Sequence, residues 1–107
     1  MNIDFITEDN LIIKLSGELD HNALKKARER LEMKVTTTPK KIIIIDLDNL
    51  EFMDSSGISL VYNINKIAIS LNKKTYVLTN NEKFEKILTL AKIDTFVKII
   101  KDYKKEV

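Results

Sequence analysis

The chain has 107 residues, 18 Lys and Arg against 16 Asp and Glu, a formal net charge of +2, one His and no Cys or Trp. That length supports one domain, burying about 65% of its unfolded surface, and leaves little room for a second catalytic unit. The near-balance of charge argues against nucleic acid as a partner, and the lack of Cys removes disulfides, thiolate catalysis and Cys-held metals. No apolar run reaches the roughly 18 residues of a membrane span, and Met1-Asn2-Ile3-Asp4 does not open a secretory signal. One His makes no zinc triad. The expectation is a small soluble module in the cytoplasm, with no cofactor, no metal and no membrane partner.

Ile3 and Phe5 share one side of an extended segment, and Leu11, Ile13 and Leu15 share one side of the next. Thr7-Glu8-Asp9-Asn10 is a polar turn of hairpin length, and Ser16-Gly17 is expected to end the second strand. Asp20 is a good N-cap for a helix whose apolar stripe is Ala23, Leu24, Ala27, Leu31 and Val35, with Lys25, Lys26, Arg28 and Glu29 outside it. Pro39 stops this helix. Four consecutive isoleucines, Ile42 to Ile45, predict a strand buried on both faces, and Asp46 to Leu50 is expected to leave its carboxyl end. After Asp54-Ser55-Ser56-Gly57, the spacing of Ile58, Val61, Ile64, Ala68 and Leu71 predicts a second amphipathic helix. Thr75–Leu78 reads as a strand. Asn81 caps a third helix with Phe84, Ile87, Leu88 and Ala91 inward, Phe96–Ile100 reads as a last strand, and a charged, solvated tail closes the chain. This order predicts an α/β sandwich with a mixed sheet.

Between Ile42 and Asn65 there is no Lys or Arg, while Asp46, Asp48, Glu51 and Asp54 give a formal charge of −4, leaving +6 on the rest. Functional groups gather at the carboxyl ends of strands in open α/β sheets, so this acidic stretch is the candidate site. Asp46-x-Asp48 after an apolar strand is similar to the carboxylate pair with which aspartate phosphotransferases and phosphohydrolases hold Mg²⁺, but the further acids and the lysine of such sites have no counterpart here. A calcium loop lacks its central Gly and its twelfth-position Glu. Asp54-Ser55-Ser56-Gly57 suits a helix start on structural grounds alone; functionally, it would present the Ser55 hydroxyl at a helix mouth that favours negative charge. No G-x-S-x-G elbow activates that serine. His21 reads as a surface residue at a helix start, and only Gly17 and Gly57 exist, too few for a phosphate loop.

Ser16-Gly17-Glu18-Leu19-Asp20-His21 and, after the buried strand, Asp48-x-x-x-Phe52-Met53-Asp54-Ser55-Ser56-Gly57 closely resemble the SpoIIAA-like anti-sigma factor antagonists of the STAS-domain superfamily. The likeness extends over essentially the whole chain. It implies a single STAS domain over residues 1–107, with 98–107 ending in the charged tail: a mixed sheet with an N-terminal hairpin and amphipathic helices mainly on one face. It also implies a partner-switching regulator, not an enzyme. Unphosphorylated, such a protein binds an anti-sigma factor that is also a serine kinase and so frees the sigma factor; phosphorylation reverses this and a PP2C-type phosphatase restores it. The resemblance maps the phosphorylated serine to Ser55, with Asp54, Ser56 and Gly57 shaping its loop and Asp20 beside it. Other outputs of the same module, on a phosphatase or a stress-sensing assembly, and an Asp-dependent phosphotransfer protein stay open. Ser59 stands where the family often has glycine, and Asn72-Lys73-Lys74 lacks the common glycine pair.

Overall fold

The computed structural model describes residues 1–107. Its elements in chain order are β1 (Asn2–Thr7), β2 (Leu11–Leu19), α1 (His21–Thr37), β3 (Ile42–Met53), α2 (Ser56–Ser70), β4 (Lys74–Leu78), α3 (Glu82–Leu90), β5 (Lys98–Ile100) and α4 (Tyr103–Glu106), with a 3-10 turn at Ile93–Thr95. The sheet follows sequence order from β1 to β5. β1 and β2 form the antiparallel hairpin, whereas β2, β3, β4 and β5 are mutually parallel. Each parallel step is a helical crossover. Because such crossovers share one hand, a sheet that grows in one direction places α1, α2 and α3 on the same face.

The core records that one-sidedness. Leu24, Leu31 and Val35 of α1, Leu60, Val61 and Ile64 of α2, and Phe84 and Leu88 of α3 pack on Leu11, Ile13, Leu15, Ile43, Ile45 and Val77. The opposite face holds a small cluster of Ile12, Ile44, Tyr76, Leu78 and Ile100, against which Ile6, Ile42 and Tyr103 are packed. Ile43, Ile44 and Ile45 are all fully buried, as expected of the isoleucine run, while Ile42 at its start is half-buried. The segment read as a solvated tail is instead partly structured. Asp102 caps α4 through Lys104 N–H at 2.9 Å, Tyr103 reaches the second cluster, and Lys101 pairs with Glu85 at 2.7 Å.

Both strands that lead to the site run further than expected. β2 does not stop at Ser16-Gly17: Gly17 takes φ +84 at a register shift, and pairing resumes from Glu18 to Leu19. β3 does not leave the sheet after Ile45. Lys14 faces Asp46 while Ser16 faces Asn49, and Gly17 faces Leu50 while Glu18 faces Phe52, so β3 carries an extra residue at each of two bulges and pairing continues to Met53. Asp and Asn are poor strand formers, which is why this stretch reads as a loop in isolation. The last strand is shorter than expected, because the 3-10 turn carries the chain to Phe96, which is exposed. Leu71 and Ala91, expected inward, are exposed C-caps just past their helices, and Leu60 joins the α2 stripe instead.

Two buried polar groups shape the sheet's ends. Asn72 adopts φ 59, so it supplies the left-handed turn that glycine would otherwise provide. The next residue, Lys73, is buried and donates through Nζ to the carbonyls of Thr38 and, at 3.1 Å, Lys40. It thereby ties the α2–β4 turn to the α1–β3 loop. Burial, and secondarily the charge of Lys41, pull its amine below the usual lysine range. At the other end Asp46, which is 6% exposed, accepts from Asp48 N–H at 3.0 Å. Burial pushes its carboxyl up from the ordinary 3.8, and the neighbouring Asp48 charge adds to that; the Asp48 N–H bond and Lys14 pull it down.

Lys73→Ala leaves two loop carbonyls without their donor, so a loss of about 2–3 kcal/mol is expected in denaturant unfolding, against less than about 0.5 kcal/mol for the exposed Lys26→Ala. For Asp46 the folded state holds the proton more tightly than the unfolded one. Its contribution therefore falls as pH rises from 3.8 through the higher folded value, and the ionised carboxylate is a net cost at neutral pH. Asp46→Asn keeps an oxygen for Asp48 N–H. It should raise the melting temperature at pH 7, with the gain shrinking as pH falls through the raised folded value towards 3.8 and levelling off below it; a gain that grows with acid contradicts this account.

Candidate functional site

The extended pairing of β2 with β3 brings the two sequence motifs together. Leu19 lies opposite Met53, and Asp54 N–H donates to Leu19 C=O at 3.3 Å. Asp20 and Asp54, the next residues on each strand, therefore leave the sheet side by side. Asp20 caps α1 as expected, its Oδ1 accepting from Ala23 N–H at 2.8 Å. His21 is the first residue of that helix and is exposed.

At the start of α2 the capping work falls to Asp54 rather than to Ser55. Asp54 Oδ1 accepts from Ser56 N–H at 2.8 Å and its carbonyl from Gly57 N–H at 3.1 Å. Ser55 occupies the N-cap position with helical φ −62 and ψ −10, and its carbonyl accepts from Ile58 N–H at 3.0 Å. Its side chain makes no capping hydrogen bond and is exposed. The hydroxyl is thus held by its backbone and left chemically free. Ser56 is buried, so the two adjacent serines are not equivalent. Gly57 marks a close approach rather than an unusual backbone: a Cβ there would sit 2.8 Å from Met53 Cγ and closer still to its sulfur, so the Met53 side chain would have to shift.

The remaining acids of the 42–65 segment do not converge on this point. Asp46 belongs to the buried body of β3. Asp48 is held by Asn80, whose backbone N–H and side-chain amide donate to its two oxygens at 2.6 and 2.7 Å. That amide continues to Lys101 C=O at 3.1 Å, so Asp48 ties β3 to the ends of β4 and β5. Asn80 was not legible as its partner, since 32 residues separate them. Glu51 is exposed. No group of three or more acids and His is placed to hold a metal ion, and no helix is long and apolar enough to cross a membrane.

The family model for the STAS domain matches residues 3–106. The anti-sigma F factor antagonist of Lysinibacillus sphaericus is 29% identical over 89 residues, 83% of this chain and 76% of that protein; its counterpart from Paenibacillus polymyxa is 30% identical over 81 residues, covering 76% and 69%. Among solved structures, the anti-sigma factor antagonist SpoIIAA in its unphosphorylated form is similar over 98% of this chain and 91% of its own, at 24% identity and a TM-score of 0.73. The phosphorylated form of Bacillus SpoIIAA gives 23% and 0.71 over 96% and 93%. With the hairpin, the parallel sheet and the one-sided helices in place, the chain belongs to the STAS domain family and has the SpoIIAA-like fold.

Proposed function

We propose that this protein is an anti-sigma factor antagonist that works by partner switching, with Ser55 as the phosphoacceptor. In this reading the unphosphorylated chain binds an anti-sigma factor with serine kinase activity and so releases the sigma factor. Phosphorylation of Ser55 ends the complex, and a PP2C-type phosphatase resets it. The chain is the substrate of these enzymes rather than one itself. The observation that carries the reading is the state of Ser55: exposed, fixed at the mouth of α2, and free of any capping bond because Asp54 supplies the turn. The curated relatives named as anti-sigma F factor antagonists support the general role.

Charge makes such a switch effective without refolding. A phosphoryl group brings about −1.5 to −2 charges to a loop already flanked by Asp20 and Asp54. Two unit charges about 6 Å apart at an effective dielectric of about 20 interact by roughly 3 kcal/mol. Added to a docking surface, repulsion and bulk of that order weaken binding by about a hundredfold. The bonds of Ser56 N–H to Asp54 and of Ala23 N–H to Asp20 involve no atom of the Ser55 side chain, so they persist in both states.

The test is incubation with the host's anti-sigma factor and ATP, followed by mass mapping and titration. Ser55→Ala should abolish labelling and keep binding, whereas Ser55→Asp should weaken binding by tenfold or more. Labelling that moves to Ser56, or a Ser55→Ala chain that binds no partner, sinks the assignment. Gly57→Ala must push the Met53 side chain aside, so a stability loss of about 1–3 kcal/mol is expected, with Ser55 labelled more slowly because α2 no longer seats at the same place.

A further inference from the structure

On one face of α1 beside this site the side chains of His21, Lys25 and Arg28 make no hydrogen bond or ion pair within the chain. His21, Lys25 and Arg28 line an open groove of about 280 Å³ floored by the buried Leu24. Farther along, Leu24 and Arg28 also border Leu60 and Asn63 of α2, so the groove adjoins the helix that starts at Ser55.

The other cations of α1 on the β1 side are engaged. The Arg30 guanidinium and the Lys34 ammonium stand 5.3 and 5.5 Å from the centre of the Phe5 ring. Lys25 and Arg28 have no such partner, and the only side-chain ion pair in the molecule is Lys101 with Glu85. Glu29 and Glu32 lie four residues on, but in the weaker order of charges for a helical pair, and neither pairs. Nor does local helix stability explain the charges: an amino-terminal turn favours acids, and the first turn of α1 contains none. Two unneutralised cations over an apolar floor, next to a rim of Asp20 and Asp54, make a surface of two signs.

We propose that the His21, Lys25 and Arg28 groove docks an acidic segment of the protein that recognises Ser55. This rests on the partner-switching reading and adds the chemistry of the second contact. A partner that met only the carboxylate rim would need to be basic; one that also fills this groove presents clustered Asp or Glu at a fixed distance from its basic patch, which sets register as well as affinity. A nucleic acid is disfavoured as occupant, because Asp20 and Asp54 on one side and Glu29 and Glu32 on the other interrupt any continuous basic track.

Two measurements decide it. In the first, the ¹⁵N-labelled chain is titrated with a hexaglutamate peptide. Saturable shifts confined to the amides of residues 23–29 are expected, lost in the Lys25→Glu/Arg28→Glu variant and kept in the Lys104→Glu/Lys105→Glu control. Shifts that survive the first variant, or no saturable shift, overturn the proposal, as does tighter binding of oligothymidylate to the same amides. In the second, the host's anti-sigma factor kinase phosphorylates both chains. Lys25→Glu/Arg28→Glu should raise KM for the antagonist about tenfold with kcat unchanged, and the effect should fade at high salt; an unchanged KM overturns the proposal. If wild-type Ser55 is not labelled at all, the switching reading fails on its own, and the peptide titration still decides whether the groove takes clustered carboxylates.

Discussion

The pairing of Leu19 with Met53 is the contact on which the site's geometry depends. Each strand reaches that point only by absorbing irregularities, the left-handed Gly17 in β2 and two extra residues in β3, one after Asp46 and one after Leu50. Both residues are then buried, Leu19 completely and Met53 nearly so. Met53 packs where a Cβ on residue 57 would lie, so the same side chain that ends the sheet seats the first turn of α2. Strand pairing, helix seating and the position of Ser55 are one mechanical unit. A shift of one residue in either strand would reverse which side chains face the core and would separate Asp20 from Asp54.

Local patterns reveal much of this architecture in the sequence. Asp20 and Asn81 are the helix caps that their residue types and following apolar stripes indicate, three of the four isoleucines, Ile43 to Ile45, are fully buried on both faces of the sheet with Ile42 half-buried, and Pro39 follows a helix that ends at Thr37. What stays hidden is non-local. Gly17 and Asp46-Leu47-Asp48-Asn49 look like strand ends because their intrinsic preferences oppose extended pairing, and only the partner strand overrides them. The hold of Asn80 on Asp48, and of Lys73 on the carbonyls of Thr38 and Lys40, joins segments that no periodicity relates. At the site itself, Asp20 and Asp54 could be named from their motifs. That Asp54 and not Ser55 carries the capping bond could not, since both residue types are good caps.

The opposite face of the sheet follows from the same topology. A sheet that grows strand by strand with right-handed crossovers puts its three long helices on one side and leaves the other to side chains alone. There the large residues Ile12, Ile44, Tyr76 and Leu78 shield one another, and the short α4 adds Tyr103. α4 is held by Glu106, whose carboxylate accepts from the N–H groups of Lys101 and Asp102 at 2.6 and 2.8 Å; those bonds hold its carboxyl below the usual range. A four-residue helix has too few internal hydrogen bonds to stand by itself. Its order is borrowed from this carboxylate and from the apolar face beneath Tyr103.

The division of labour between Asp54 and Ser55 is what would let the proposed switch sit on so rigid a platform. If Ser55 supplied the cap of α2, any change to its hydroxyl would also remove a bond worth about 1 kcal/mol and loosen the helix start. Because Asp54 holds Ser56 N–H instead, a modification at Ser55 alters charge and shape at the surface while the loop beneath keeps its bonds. The carboxylate that stabilises the turn belongs to the residue next to Ser55, so a phosphate there, as proposed, would meet a negative charge on the adjoining residue. Under the proposed switch, one residue would fix the platform in both states and sharpen the difference between them. The cations Lys25 and Arg28 lie on the neighbouring helix, outside the turn that bears the hydroxyl, so a partner held through them meets a boundary between signs. On such a surface a single added dianion changes one half of the contact and leaves the other intact, and the outcome is decided by the relative weight of the two halves rather than by any movement of the fold.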